Sequence, residues 1–163
     1  LKLGSGICPV PKLLKSKVTV ALGTDSPCSN NSADMFEVMK IAALLHKGIQ
    51  KKPTLLPAEQ VLRMTTVEGA KALLWDKQIG SIEVDKEADL VIVDFRKPHL
   101  RPVFSAISHL VYAAKATDVD TVLIKGKVVV ENRRVTAMNV DKILETAEKT
   151  KERLLDKVRQ EAQ

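Results

Sequence analysis

The spacing of apolar residues changes character twice along the chain, and each change predicts a different kind of element. The stretch PVPKLLKSK at residues 9–17 predicts a short helix, with Pro11 near its first turn and its lysines outward. Val18-Thr19-Val20-Ala21-Leu22 follows as a compact apolar run without alternation. That is the pattern of a strand buried on both faces, as in parallel sheets. After a polar loop at 28–32, Met35, Val38, Met39, Ala42 and Leu45 recur at helical spacing. They predict a helix over 33–47, with Ser32 placed to cap it and Gly48 to stop it. Helix, strand, loop and helix in this order are the rhythm of an α/β repeat.

Residues 57–74 predict two short helices. Pro57 suits a first helical position, and Thr65-Thr66-Val67-Glu68 has the form of a capping box ahead of Gly69–Leu74. From Gly80 the period shortens. Ser81–Asp85 and Ala88–Asp94 read as strands, the second fully buried in its middle, and Thr121–Val130 as a hairpin turning at Lys125-Gly126. Ser105–Ala114 is apolar enough for a short helix. The tail repeats Val140, Ile143, Leu144, Ala147, Leu154, Leu155 and Val158, an amphipathic helix that needs a partner surface and is interrupted at Lys151. The organisation expected is an α/β front at 1–78, a β-rich middle at 79–138 and a helical tail at 139–163. A complete (β/α)₈ barrel takes about 250 residues, so the front has room for about two of its eight units.

Composition narrows the function classes. The chain has 163 residues, 45% hydrophobic and 28% charged, the balance of a soluble globular protein. No apolar run approaches the ~18 residues that span a bilayer, which excludes a membrane-spanning helix. The formal charge is +6, but residues 139–163 hold six basic and six acidic groups, so the most charged segment is neutral. With five aromatic residues and no basic stripe, a nucleic-acid partner is not expected. Cys8 and Cys28 form neither a disulfide framework nor a CxxC pair, which favours a reduced, cytoplasmic setting. The apolar run at the N-terminus is too short for a signal peptide. Because the chain starts at Leu1 rather than Met, it is expected to be a piece of a longer product.

The sharpest chemical feature is Leu22-Gly23-Thr24-Asp25 at the end of the run 18–22. Catalytic groups of parallel α/β folds sit at the carboxyl ends of strands, and a carboxylate there can bind a divalent metal and accept a proton from its water. The same Asp, ahead of Ser26-Pro27, also has the form of an Asx turn. The local pattern leaves both readings open.

Six stretches carry a resemblance. Gly4–Pro11 with Val20–Asp25, then Ser29–Lys47, then Gly80–Asp94 with Ser108–Tyr112 and Asp118–Arg133, occur in the order found in the amidohydrolase superfamily. Ser29–Lys47 is similar to its chlorohydrolase and deaminase branch, which takes in deaminases of S-adenosylhomocysteine and 5′-methylthioadenosine. The resemblance implies an α/β fold: the C-terminal part of a metal-dependent hydrolase, with the end of a distorted (β/α)₈ barrel, part of a composite β-sandwich and a C-terminal helix. It implies a hydrolase of non-peptide C–N bonds, acting on a purine-nucleoside-like small molecule by hydrolytic deamination.

On the same resemblance, Asp25 is the catalytic and metal-binding residue, matching the aspartate at the end of the eighth strand, and the cofactor is Zn²⁺ or Fe²⁺. The family's His-x-His pair, its further His and its Glu have no counterpart among His46, His99 and His109. A catalytic metal takes about three protein ligands, so this chain by itself is expected to hold no metal and to be inactive. His46 and His109 are expected to be structural, Met35 and Met39 core, and Asn30 and Asn31 loop or capping residues before substrate contacts. Two alternatives stay open. One is a guanine, cytosine or triazine amino- or chlorohydrolase of the same superfamily. The other is a non-catalytic module that associates through exposed core surface, for which a homo-oligomer is expected.

Overall fold

The computed structural model describes residues 2–161. Helix α1 (Val10–Lys15) has Pro11 in its first turn, where the missing N–H costs nothing. A one-turn helix α2 (Pro27–Asn30) precedes the long α3 (Met35–Gln50), and α4 (Ala58–Thr65) and α5 (Val67–Ala72) follow. Strand β1 (Leu90–Val93) leads through a 3₁₀ turn (Pro98–Leu100) to α6 (Ala106–Tyr112). A second 3₁₀ turn (Ala116–Asp118) enters β2 (Val119–Ile124), β3 (Lys127–Glu131) and β4 (Arg134–Val135), and α7 (Val140–Glu161) closes the chain. No helix among the described residues is long and apolar enough to cross a membrane.

The core lies among the helices. Val10, Met39, Ala43, Leu56, Val61, Met64 and Val111 form one buried cluster, with Val20, Leu22 and Tyr112 packed against it. Lys47 ties its margin together: Nζ donates to the carbonyls of Ala43 and Leu56, both at 2.8 Å, and to the Tyr112 hydroxyl at 3.1 Å. One ammonium group thereby joins α3, the segment before α4, and α6 with all three of its protons used.

The sheet is antiparallel throughout, in the order β1-β2-β3-β4. The predicted hairpin is there, with Lys125 (φ 49°) and Gly126 (φ 74°) both left-handed at its tip, as a two-residue hairpin turn requires. The Lys125 N–H donates to Asp89 Oδ1 at 2.7 Å and the Gly126 N–H to the Ala88 carbonyl at 3.0 Å, docking the turn beside β1.

Three expectations about strands are corrected. Val18–Leu22 forms no strand: it has no regular structure, is mostly exposed, and joins no ladder. Its Leu22 N–H donates instead to the Met64 carbonyl at 3.1 Å. A strand needs a neighbour to take its backbone groups, and none stands beside it among the described residues. Ser81–Asp85 fails for the same reason, leaving Ile82 and Val84 about nine-tenths exposed. The middle of β1 is open rather than buried, since Val91 and Ile92 have no layer over them.

The caps also differ from expectation. Asp34, not Ser32, caps α3: its Oδ1 accepts from the N–H groups of Phe36 (2.8 Å) and Glu37 (3.4 Å). Ser32 Oγ sits one step out and accepts from the Asp34 N–H. The helix runs through Gly48 and stops at Lys51, which takes the left-handed conformation at φ 50°. Thr65 and Thr66 do not build a capping box. Their hydroxyls donate back to the carbonyls of Val61 and Leu62, and Glu68 pairs with Arg63 and Lys71.

Candidate functional site

Asp25 stands where the irregular segment 18–24 meets α2. It is exposed and has φ +60°, a conformation that short polar residues such as Asp adopt more readily than others. Its Oδ1 accepts from the Ser26 N–H at 2.7 Å, and its carbonyl accepts from Thr24 Oγ1 at 3.0 Å. The Ser26 N–H, with the Ser29 hydroxyl second, holds its carboxyl below the usual carboxylate range. Asp25 is therefore an ionised carboxylate facing solvent at neutral pH. Both local readings meet here: the side chain forms the turn, and it remains an anionic oxygen donor of the kind that suits a divalent metal.

Around it the loop is closed by side chains. Asn30 Nδ2 donates to the Thr24 carbonyl at 2.9 Å and to the Ser32 carbonyl at 3.2 Å. Ser26 Oγ and Ser29 Oγ lie 3.2 Å apart, and Ser29 Oγ donates to the Ser26 carbonyl at 3.3 Å. Asn31, left-handed at φ 63°, ends α2 and accepts from Lys2 Nζ. The loop is anchored at a distance by Asp34, whose Oδ2 accepts from the Ala116 N–H at 3.1 Å, 82 residues along the chain. Asn30 thus takes the loop role expected for it.

The histidines lie elsewhere. His46 is buried on the core face of α3, and His109 Nδ1 faces the Ser105 carbonyl at 2.8 Å beside the Phe95 ring. Cys8 and Cys28 are free and exposed, and Met39 is core. Among the described residues no three His, Cys, Asp or Glu side chains gather to hold a metal ion, so Asp25 supplies one ligand at most here.

Sequence patterns gave no sign of the pair His99 and Asp118. Asp118 is 2% exposed, and its Oδ2 meets His99 Nε2 at 2.9 Å and accepts from the Lys115 N–H at 2.9 Å. Burial raises its carboxyl pKa, but the His99 and Lys115 hydrogen bonds and the nearby charge of Lys97 outweigh it, and the net direction is downward. Asp118 binds protons less readily folded than unfolded. Its contribution is therefore complete at neutral pH and lost as pH falls below the ordinary carboxylate range. Asp118→Ala should lower the unfolding free energy by about 2 kcal/mol at pH 7, since it leaves the Lys115 N–H and the His99 ring without their partner. In urea titrations the gap between wild type and variant should close toward pH 3. A gap that holds constant across that range would refute the assignment.

Residues 1–129 match the sequence profile of the amidohydrolase family. The chain is 49% identical over 96% of its length to a 5-methylthioadenosine/S-adenosylhomocysteine deaminase of Thermoanaerobacter pseudethanolicus, and covers 36% of that protein. It is 51% identical over 95% of its length to a 5′-deoxyadenosine deaminase of Methanosarcina acetivorans, covering 35% of it. Among solved structures, a zinc-bound adenosine deaminase from Xanthomonas campestris superposes with a TM-score of 0.91 at 39% identity, over 95% of this chain and 35% of that one. The chain spans about a third of the length of the relatives it matches.

Proposed function

The chain belongs to the amidohydrolase family, and from that premise we propose that it is the C-terminal portion of a metal-dependent deaminase that hydrolyses the exocyclic C–N bond of an adenosine-type substrate. The observation that carries this is identity of about one half with adenosine-type deaminases over nearly the whole chain.

Residues 1–78 are read as the last β/α units of a barrel, 79–138 as its β-sandwich segment and 139–163 as a C-terminal helix. What supports the barrel reading is that Val18–Leu22, strand-like in composition, lies mostly uncovered and outside the sheet, and is followed at once by the loop that carries Asp25. In the whole protein Asp25 would hold the metal, zinc or iron, together with ligands from outside the described residues. When bound, such a metal makes water acidic enough to attack at neutral pH. The Asp25 carboxylate is ionised and faces solvent, so it would be free to take a proton from water and return it to the amino group that leaves as ammonia, its low basicity being offset by the acidity that such a metal gives the water. The free, exposed cysteines support a reduced, cytoplasmic setting. The apolar stripe of α7, where Ile143, Leu144, Leu154 and Val158 are about half exposed, supports a homo-oligomer.

The test is made on the longer protein carrying this chain. It should hold zinc or iron near one per chain and release ammonia from 5′-deoxyadenosine or 5′-methylthioadenosine. Chloride or amine release from triazines with no action on nucleosides would overturn the substrate, and a metal-free inactive protein would overturn the reaction.

A further inference from the structure

Asp25 does not fix its own position. Its carboxylate accepts from the next residue's N–H, a contact that turns with the peptide, and is helped by the Ser29 hydroxyl of the same loop, so the direction of the side chain follows the loop backbone that carries both. The backbone there is left-handed, which costs free energy unless neighbouring groups hold it. Within the loop, the group that reaches across to the Thr24–Asp25 peptide is the Asn30 amide. It lies six residues on, is partly buried, and donates to the Thr24 carbonyl at 2.9 Å. Both of its amide protons face carbonyl oxygens, of Thr24 and of Ser32, so the nitrogen and not the oxygen points inward.

The second of those carbonyls is itself held. Ser32 Oγ accepts from the Asp34 N–H, and Asp34 divides its two oxygens. Oδ1 accepts from the first turn of α3, and Oδ2 from the Ala116 N–H next to the 3₁₀ turn that enters β2. A line of polar contacts thus runs from a distant turn through Asp34, Ser32 and Asn30 to the peptide that carries Asp25. Its last link depends on a side chain that can donate twice.

We propose that Asn30 is a positioning residue for Asp25: by donating to the carbonyls of Thr24 and Ser32 it fixes the peptide that aims the Asp25 carboxylate at the metal. The inference rests on the metal-binding role proposed for Asp25 and adds to it the group that sets its direction. Partners that orient a ligand are worth about 10–100-fold in metal affinity or activity.

Asn30→Asp separates the two functions of the side chain, for it keeps the shape and cannot donate. In the longer protein it should weaken zinc binding, read by competition with a chelator, by about 10–100-fold, and lower kcat similarly while KM changes less than about threefold. Asn30→Ser, which can donate once, should fall between, and serves if the aspartate variant fails to fold. Asn31→Gly is the control: it keeps the left-handed turn, removes only a side chain bonded to Lys2, and should leave zinc affinity unchanged. Wild-type zinc affinity in folded Asn30→Asp and Asn30→Ser, even with lowered melting temperatures, would overturn the inference and leave the role of Asp25 intact. A wild-type protein that binds no metal would overturn the role of Asp25, and this inference with it.

Discussion

Asp25→Asn in the longer protein should lower deaminase kcat by about 10²–10⁴-fold, the range spanned by loss of a positioned general base. The substitution is chosen because it isolates chemistry from folding. Asn tolerates φ +60° as Asp does, and its amide oxygen still accepts from the Ser26 N–H, so the turn into α2 should survive. What is lost is the negative charge and the capacity to take a proton. Metal content should fall together with kcat, and the circular dichroism spectrum should not move. An Asp25→Asn variant that turns over at the wild-type rate would remove Asp25 from the reaction altogether.

The largest effect on stability is expected at a residue far from that site. Gly80 has φ +96°, and a Cβ built there would lie 2.7 Å from the Ala70 Cβ and 3.3 Å from both the Thr66 carbonyl oxygen and the Val67 Cα. Two penalties add in Gly80→Ala. A left-handed backbone on an L-residue costs about 1–2 kcal/mol, and overfilling a packed contact about 1–3 kcal/mol. The sum, about 2–5 kcal/mol, should appear as a lower urea midpoint. The two are separable, because Ala70 is the nearest obstacle and is buried on α5. Relative to Ala70→Gly alone, adding Gly80→Ala should cost less than it does in the wild type, since the 2.7 Å contact is gone and the backbone penalty stays. Equal costs in the two backgrounds would mean that packing against Ala70 contributes nothing.

Legibility differed by kind of element. Helices came through because their hydrogen bonds close within a few residues: α1, α4, α5 and α7 lie within stretches whose periodicity or punctuation marked them, α6 within one marked only by its apolar composition, and α3 runs on to Gln50 past its expected end at 47. The hairpin did as well, since Lys125-Gly126 supplies the left-handed turn locally. Caps were harder. Ser32, Asp34, Thr65 and Thr66 are all competent capping residues, and which one caps depends on where each helix starts in space. Val18–Leu22 and Ser81–Asp85 show the opposite limit. Both have strand-like composition, yet a ladder takes two chains, and nothing in a single segment says whether its neighbour is present.

The site divides along the same line. Sequence by itself determined that an aspartate ends an apolar segment and is followed by a polar loop and a long helix, because these are properties of neighbours in the chain. It also determined the family, through the order of several stretches. Only the tertiary structure decided that Asp34 bonds Ala116, that His99 meets the buried Asp118, and that Asn30 folds back on Thr24. The physical reason is that a polar side chain's partner is set by packing: each donor and acceptor takes whichever group the fold brings within reach, however far away it lies in the chain, and for a buried one such as Asp118 the exclusion of water makes that partner obligatory.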